Sequence, residues 1–585
     1  MKELQYLNKY FYKYKYHFIG GILIAIVARI FALYTPKLVG NSMSVVEDFI
    51  KGNIEQSAAN SVFLKNLLLI VGATIVAGFF LFLTRQTLIV VSRHIEFDLK
   101  NEIFTHYESL SQSFFKQNRT GDLMSRISSD VDKVRQYIGP SIMYGISTTI
   151  TFIVVITQMY IISPRLTLYT LIPLPLLSYS IFKLSNEINK KSTAYQRNLS
   201  SLATFTQEMF SGIRVIKAHH LEKNIQGDFQ ELSKDSKVKN MKLAKLNAMF
   251  GPLMIFLIGL SSLIVIFTGG MMYIDGKITH IGVIAEFILY VNMLIWPVAS
   301  LGWISSMVQE AEASQKRINE FLKTVPDIQN KSDEPIEIQG NIEFKNVSFT
   351  YDDTNIQALK NVSFSVKSGE TIAIFGKTGS GKSTILSLIS RLYDVKEGQI
   401  LIDGIPVDQI HLESLRKNMA VVPQDAFLFS DTIKNNIRFG KQEALDEEII
   451  EAARLAAVHD NIAGFTKGYE TVLGERGISL SGGQKQRVSI ARALLKDAKI
   501  LLLDDCLSAV DTETEEIILN NLGKVITNKT TFIVSHRVSA ARNADKIIVL
   551  DEGKIIEQGS HSELLNQNGY YKELYEMQLS EKELL

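Results

Sequence analysis

Six segments in the first half of the chain, at roughly 17–38, 64–84, 137–162, 165–184, 246–274 and 280–304, are apolar over about the length of a membrane-crossing helix. A hydrocarbon core about 30 Å thick takes roughly 20 helical residues. Buried helices of a large water-soluble protein would be the competing reading. A stretch such as Phe256 to Phe267, apolar on every face, argues against it, because a helix in contact with water keeps a polar side. The first half therefore reads as an all-α membrane domain.

Basic residues set the orientation. Lys2, Lys9, Lys13 and Lys15 precede the first span, and the long connections 85–136 and 185–245 are rich in Lys and Arg, whereas 39–63, Ser163-Pro164 and Asp275-Gly276-Lys277 are short or nearly neutral. Both termini are expected in the cytoplasm. The first apolar run is too long for a cleavable signal peptide and has no small-residue cleavage site. The two long connections are too polar for the membrane and too periodic for loops, so they read as helices continuing beyond the bilayer. Arg29 in the first span and Glu286 in the sixth, near Asn292 and Trp296, are ionisable groups at membrane depth. Such groups line cavities or pair with one another, and both readings stay open here.

The 585 residues require more than one domain, and the net charge of +1 argues against a nucleic-acid partner. The single Cys506 excludes an intramolecular disulfide and reads as a small packed residue. After Trp303 the pattern becomes amphipathic, then polar and proline-flanked from Thr324-Val325-Pro326-Asp327 to Glu334-Pro335. This places the membrane domain at 1–322, a linker at 323–336 and a second domain at 337–585. The second domain alternates β-branched runs with helical stretches, as an α/β fold does.

Thr371 to Phe375 reads as a buried strand entering Gly376-Lys377-Thr378-Gly379-Ser380-Gly381-Lys382-Ser383, a match to G-x-x-x-x-G-K-[ST], with a helix beyond from Ser383 to Leu392. Glycines there let backbone N–H groups wrap phosphates, and a helix N-terminus adds a favourable dipole. Lys382 would reach the β- and γ-phosphates of ATP, Ser383 would hold Mg2+, and Thr384 adjoins them. Lys499 to Leu503 reads as a second apolar strand, ending in Asp504, the expected magnesium-directed carboxylate. Leu480-Ser481-Gly482-Gly483-Gln484 exposes glycine N–H groups and a hydroxyl before another helix, which makes a second anion site.

In this order the motifs resemble those of ATP-binding-cassette (ABC) exporters, over essentially the whole chain. The resemblance implies a six-helix membrane domain followed by a P-loop ATPase. It implies that Tyr351 stacks on adenine, that Gln424 and His536 contact magnesium, attacking water or γ-phosphate, and that Ser508 to Asp511 forms the D-loop. Glu475-Arg476-Gly477 matches the exporter segment before the signature. The segments Thr120 to Arg126 and Gln207 to Ile213 match coupling helices. The resemblance also implies that each nucleotide is held between the P-loop of one cassette and the signature of another, which makes a chain with one cassette half of a dimer.

Asp505 stands where most of these proteins carry glutamate. It keeps the charge and withdraws the carboxylate by one methylene. The favoured reading is a heterodimer in which a partner half-transporter bears the glutamate, with a homodimer as the alternative. The implied function is ATP-driven export or flipping of amphipathic compounds, drugs or lipids, across a bacterial cytoplasmic membrane whose lipids surround the spans. A peptide exporter and an ATP-gated channel or regulatory protein are the alternatives.

Overall fold

The computed structural model describes residues 2–583 except 333, 475, 476, 478, 542 and 543, and gives only the backbone for residues 174, 177, 257 and 581–583. Glu475 and Arg476, two residues of the exporter segment, therefore lie outside the described residues. The chain forms two compact units. The first comprises Met1–Glu108 and Thr120–Thr324, and the second Ser109–Arg119 and Val325–Leu585. The membrane domain expected at 1–322 is thus interrupted, because eleven residues of its sequence belong to the second unit.

The first unit is helical. Among the described residues, five helical stretches are long and apolar enough to cross a membrane: Lys15–Ile50, Gln56–Ser109, Thr120–Ile162, Glu222–Ile274 and Gly282–Leu322. The fourth expected span, 165–184, falls across Pro164–Leu171 and Pro173–Ser211. Pro173 can start a helix but lacks the N–H to continue one. Gln56–Ser109 has 54 residues, about 80 Å at 1.5 Å per residue. That exceeds the hydrocarbon by some 50 Å, so the polar ends of such helices do continue the apolar ones.

Close backbone approach joins the first and last spans. A Cβ on Gly282 would stand 2.0 Å from the Gly40 carbonyl oxygen and 2.3 Å from Ser44 Oγ, the small-residue contact that lets membrane helices touch. Glu47, buried at the end of the first span, accepts hydrogen bonds from Lys51 and Tyr273 and from the Ile281 N–H at 2.7 Å. Arg29 and Glu286 are not a pair. Glu286 accepts from Tyr290 Oη at 2.7 Å, one turn along its own helix, and Arg29 makes no ion pair among the described residues.

The first helix break falls just before the segment expected to hold it, and the second falls within its expected segment. Extended backbone at Ser111 and Asn118 brackets a short helix, Gln112–Gln117, and this helix, not Thr120 to Arg126, belongs to the second unit. The Thr120–Ser125 helix stays in the first. The other long helix ends at Ser211, Gly212 breaks it, and a short helix follows at Ile213–Ala218.

The second unit is α/β. Strands β1 (Ile342–Thr350), β2 (Gln357–Val366), β4 (Glu397–Ile402) and β5 (Ile405–Pro406) form an antiparallel sheet in the order β2-β1-β4-β5. Strands β3 (Thr371–Gly376), β6 (Met419–Val422), β7 (Ile500–Asp504), β8 (Thr530–Val534), β9 (Lys546–Asp551) and β10 (Lys554–Gly559) form a second, ordered β10-β9-β3-β8-β7-β6. All of its pairings are parallel except β9 with β10. A parallel strand buried on both faces reads as a continuous apolar run, as β7 does.

The alternation of side chains across this sheet separates two cores. Ile500 and Leu502 of β7 and Phe532 and Val534 of β8 pack with Ile385 and Leu386 of the helix Lys382–Ile389. Leu501, Leu503 and Ile533 point the other way and pack with Val488 and Ala491 of the helix Gly482–Leu495. The helices behind the two anion motifs therefore lie on opposite faces of one sheet. From Val325 the linker is fastened to this unit: Gln329 O accepts from the fully buried Arg391 at 3.0 Å, and Asn330 Oδ1 accepts from the Leu412 N–H at 2.9 Å.

Candidate nucleotide site

The glycine loop leaves the buried end of β3 and enters the helix Lys382–Ile389. Two of its glycines have no substitute. Gly376 has φ +144° and a Cβ there would stand 2.1 Å from the Leu550 carbonyl oxygen; Gly381 has φ +102° and would meet the Ala358 carbonyl oxygen at 2.4 Å. Lys377, Thr378 and Gly379 form the exposed tip. Lys382 is buried and folds back to donate to the Gly376 and Lys377 carbonyl oxygens, each at 2.8 Å. Burial holds its pKa below the usual lysine range. Ser380 Oγ is buried and has no hydrogen-bond partner among the described residues, a donor left over inside a loop shaped for an anion.

The neighbouring strands bring the carboxylates to the same edge of the sheet. Ser383 Oγ donates to Asp504 Oδ1 at 2.9 Å. A hydroxyl and a carboxylate side by side are the oxygen ligands that Mg2+ takes. Asp505 follows with φ +43°, its N–H donating to Val534 O at 2.9 Å. Gln424 lies just beyond β6 and His536 just beyond β8, both exposed. Neither side chain has a hydrogen bond within this chain among the described residues. Tyr351 joins the loop from the other sheet, its Oη 3.0 Å from Thr384 Oγ1.

Burial raises the pKa of both Asp504 and Asp505 above the ordinary carboxylate range, only partly offset by Ser383 and Lys382 for the first and by His536, Lys382 and Arg537 for the second. A carboxyl whose pKa is raised by folding favours the fold when protonated. Its contribution is lost as pH rises from the ordinary carboxylate range through the raised value. At neutral pH an ionised Asp505 therefore costs the nucleotide-free protein stability. Asp505→Asn should raise the melting temperature by a few degrees at pH 7.5, and the gap should narrow as pH falls through the carboxylate range. Thermal melts of the two proteins across pH check this.

Ser481 caps the helix Gly482–Leu495. Its Oγ accepts from the Gln484 N–H at 3.3 Å, and its own N–H donates to Gln484 Oε1 at 3.0 Å. This reciprocal cap commits Gln484 to holding the turn and leaves the Ser481 hydroxyl proton free to point outward. Gly483 passes so near Ala509 that a Cβ would stand 2.7 Å from its carbonyl oxygen. Further supports escape a motif reading. Gln486 donates to Ser508 Oγ at 3.2 Å and accepts from the Ala509 N–H at 3.0 Å. Arg537 pairs with the buried Glu515 and donates to Val510 O at 3.1 Å. Gln578 brackets His536 by donating to its carbonyl oxygen at 2.7 Å and accepting from the Val538 N–H at 2.8 Å. On the sequence these residues look like ordinary polar faces of helices.

Comparison with known proteins places the chain in a family. Residues 18–298 match the ABC transporter transmembrane region and residues 359–508 the ABC transporter domain. The multidrug resistance-like ATP-binding protein MdlA of Escherichia coli (strain K12) is 37% identical over 585 residues, covering 100% of this chain and 98% of that one. The chain belongs to the ABC transporter family. The ATP-dependent lipid A-core flippase of Syntrophus aciditrophicus (strain SB) is 38% identical over 494 residues, 84% of this chain and 82% of the flippase. A solved bacterial Atm1-family ABC exporter with ATP bound superposes with a TM-score of 0.81 at 27% identity, covering 96% of this chain and 99% of that one. This ABC protein is thus an exporter-type half-transporter, a multi-pass membrane ATPase that couples ATP hydrolysis to export. Half-transporters of this type function as dimers.

Proposed function

We propose that this half-transporter exports or flips amphipathic compounds, drugs or lipids, across a bacterial cytoplasmic membrane with both termini in the cytoplasm. We further propose that it works as a heterodimer with a glutamate-bearing half. The observation that carries the reading is the placement of two anion-binding helix starts on opposite faces of one sheet. One nucleotide is then served by the loop of one cassette and the signature of another. The names of the E. coli and Syntrophus relatives, multidrug resistance-like and lipid A-core flippase, support an amphipathic cargo.

In this reading the backbone N–H groups from Gly376 to Ser383 and the hydroxyl of Ser380 hold the ATP phosphates, and Lys382 leaves its two carbonyl partners for the β- and γ-oxygens. Ser383 and Asp504 would hold Mg2+, which would supply positive charge to neutralise the phosphates. Asp505 orients the attacking water and accepts its proton, while Gln424 and His536 close on the γ-phosphate side. The signature of the facing half donates to the same phosphate from beyond, and Ser481, Gly482 and Gly483 of this chain do so for the nucleotide on the partner's loop.

The test uses the tagged chain purified in mild detergent from its own membranes and reconstituted into liposomes. The expected result is a second half-transporter with glutamate at the position of Asp505, together with ATP-dependent movement of a lipophilic dye or a fluorescent phospholipid. ATP hydrolysis without movement of either compound would overturn export of amphipathic cargo. A homodimer turning over at ordinary exporter rates would overturn the heterodimer.

A further inference from the structure

The segment Ser109–Arg119 lies in sequence among the membrane helices and in structure within the cassette unit. It is fastened there by Ser111 Oγ, which donates to Asp327 Oδ2 at 2.7 Å, and Leu110 is buried. Its helix Gln112–Gln117 carries Lys116, whose Nζ stands 4.9 Å from the ring centroid of Tyr351 and 5.3 Å from that of Tyr393. The two tyrosines meet edge to face at 5.4 Å, and Phe349 backs both at 4.9 and 5.6 Å. Lys116, Tyr351, Tyr393 and Phe349 line a cavity of about 320 Å³, at the lower end of the range for small-molecule pockets. Through Tyr351 Oη and Thr384 Oγ1 the cavity adjoins the first turn of the phosphate-loop helix.

We propose that Lys116 is a base-recognition residue of the nucleotide site, supplied by the membrane-domain sequence and acting together with Tyr351. The inference rests on the reading of Tyr351 as the residue that stacks on the base. A purine laid on that ring shares the aromatic face with the ammonium group. Lys116 then stands over the base as a cation over a π-system, or donates to a ring nitrogen. An ammonium has three donors and no acceptor, so it favours heterocycles that present unprotonated nitrogen at this edge. A cation held over aromatic rings at a half-enclosed site changes affinity by roughly 3- to 10-fold.

The experiment measures equilibrium binding of radiolabelled ATP to the full chain in detergent with Mg2+, and competition by inorganic tripolyphosphate, which has phosphates and no base. Lys116→Ala should weaken ATP binding by roughly 3- to 10-fold and leave the intrinsic affinity for tripolyphosphate unchanged, and Lys116→Arg should restore most of the loss. Equal weakening of ATP and tripolyphosphate in Lys116→Ala would make Lys116 a remote charge or a fold support and overturn the proposal. Unchanged ATP binding in Lys116→Ala alongside weakened binding in Tyr351→Ala would overturn it while leaving base stacking intact. Unchanged binding in Tyr351→Ala would remove the stacking reading itself, and the proposal with it.

Discussion

Asp505→Glu should increase ATP turnover by the full chain at saturating ATP by roughly 10- to 100-fold. The restored methylene advances the carboxylate by about 1 Å, and a misplacement of that size at a reacting centre is worth up to about 10² in rate. The backbone argues for a modest cost alongside the gain. Asp505 sits at φ +43°, where aspartate is better tolerated than glutamate, so the faster variant should also melt at a slightly lower temperature. Phosphate release and a thermal melt on the same preparation read both effects. Asp505→Asn should abolish the residual activity of this chain's own site. If wild type, Asp505→Glu and Asp505→Asn all turn over alike, Asp505 takes no part in the chemical step.

Lys382→Met should lower turnover by on the order of 10²- to 10³-fold, the usual loss when one preorganised donor to a developing anion is removed. Methionine keeps the length and apolar body of the stem, so the variant should fold. Lys382 closes the loop on the Gly376 and Lys377 carbonyl oxygens, and in the proposed mechanism it has a second role, leaving them for the phosphates. A variant that loses turnover yet melts within a degree or two of wild type supports the second role. A variant that loses both in proportion shows that the loop, rather than the phosphate contact, depends on this lysine.

What the sequence disclosed was what local sterics dictate. The glycine loop is legible because no other residue fits at Gly376 and Gly381, and the strands beside it because both of their faces are buried. The relation between the loop and Asp504 was legible only through motif order, since the Ser383–Asp504 hydrogen bond spans 121 residues. Arg29 and Glu286 looked like possible partners because each seemed costly alone, yet Tyr290 satisfies the glutamate from one turn away. The break before Pro173 is visible in the sequence only as a proline, because the hydropathy runs on through it. Lys116 carried no signal at all: an amphipathic turn between two long helices says nothing of a tyrosine more than two hundred positions later. Gln486, Arg537 and Gln578 were hidden for the same reason.

The eleven residues that the membrane-domain sequence lends to the cassette impose an order on synthesis. Ser109–Arg119 leaves the ribosome well before the rest of the unit it belongs to, so the ATPase finishes folding against a piece of chain already made and flanked by membrane helices. A cassette expressed alone from residue 325 would lack the Ser111 donor to Asp327 and the ammonium beside Tyr351 and Tyr393. Such a fragment is an incomplete unit rather than a detachable engine, and it should bind ATP less tightly than the intact transporter even with every cassette motif present.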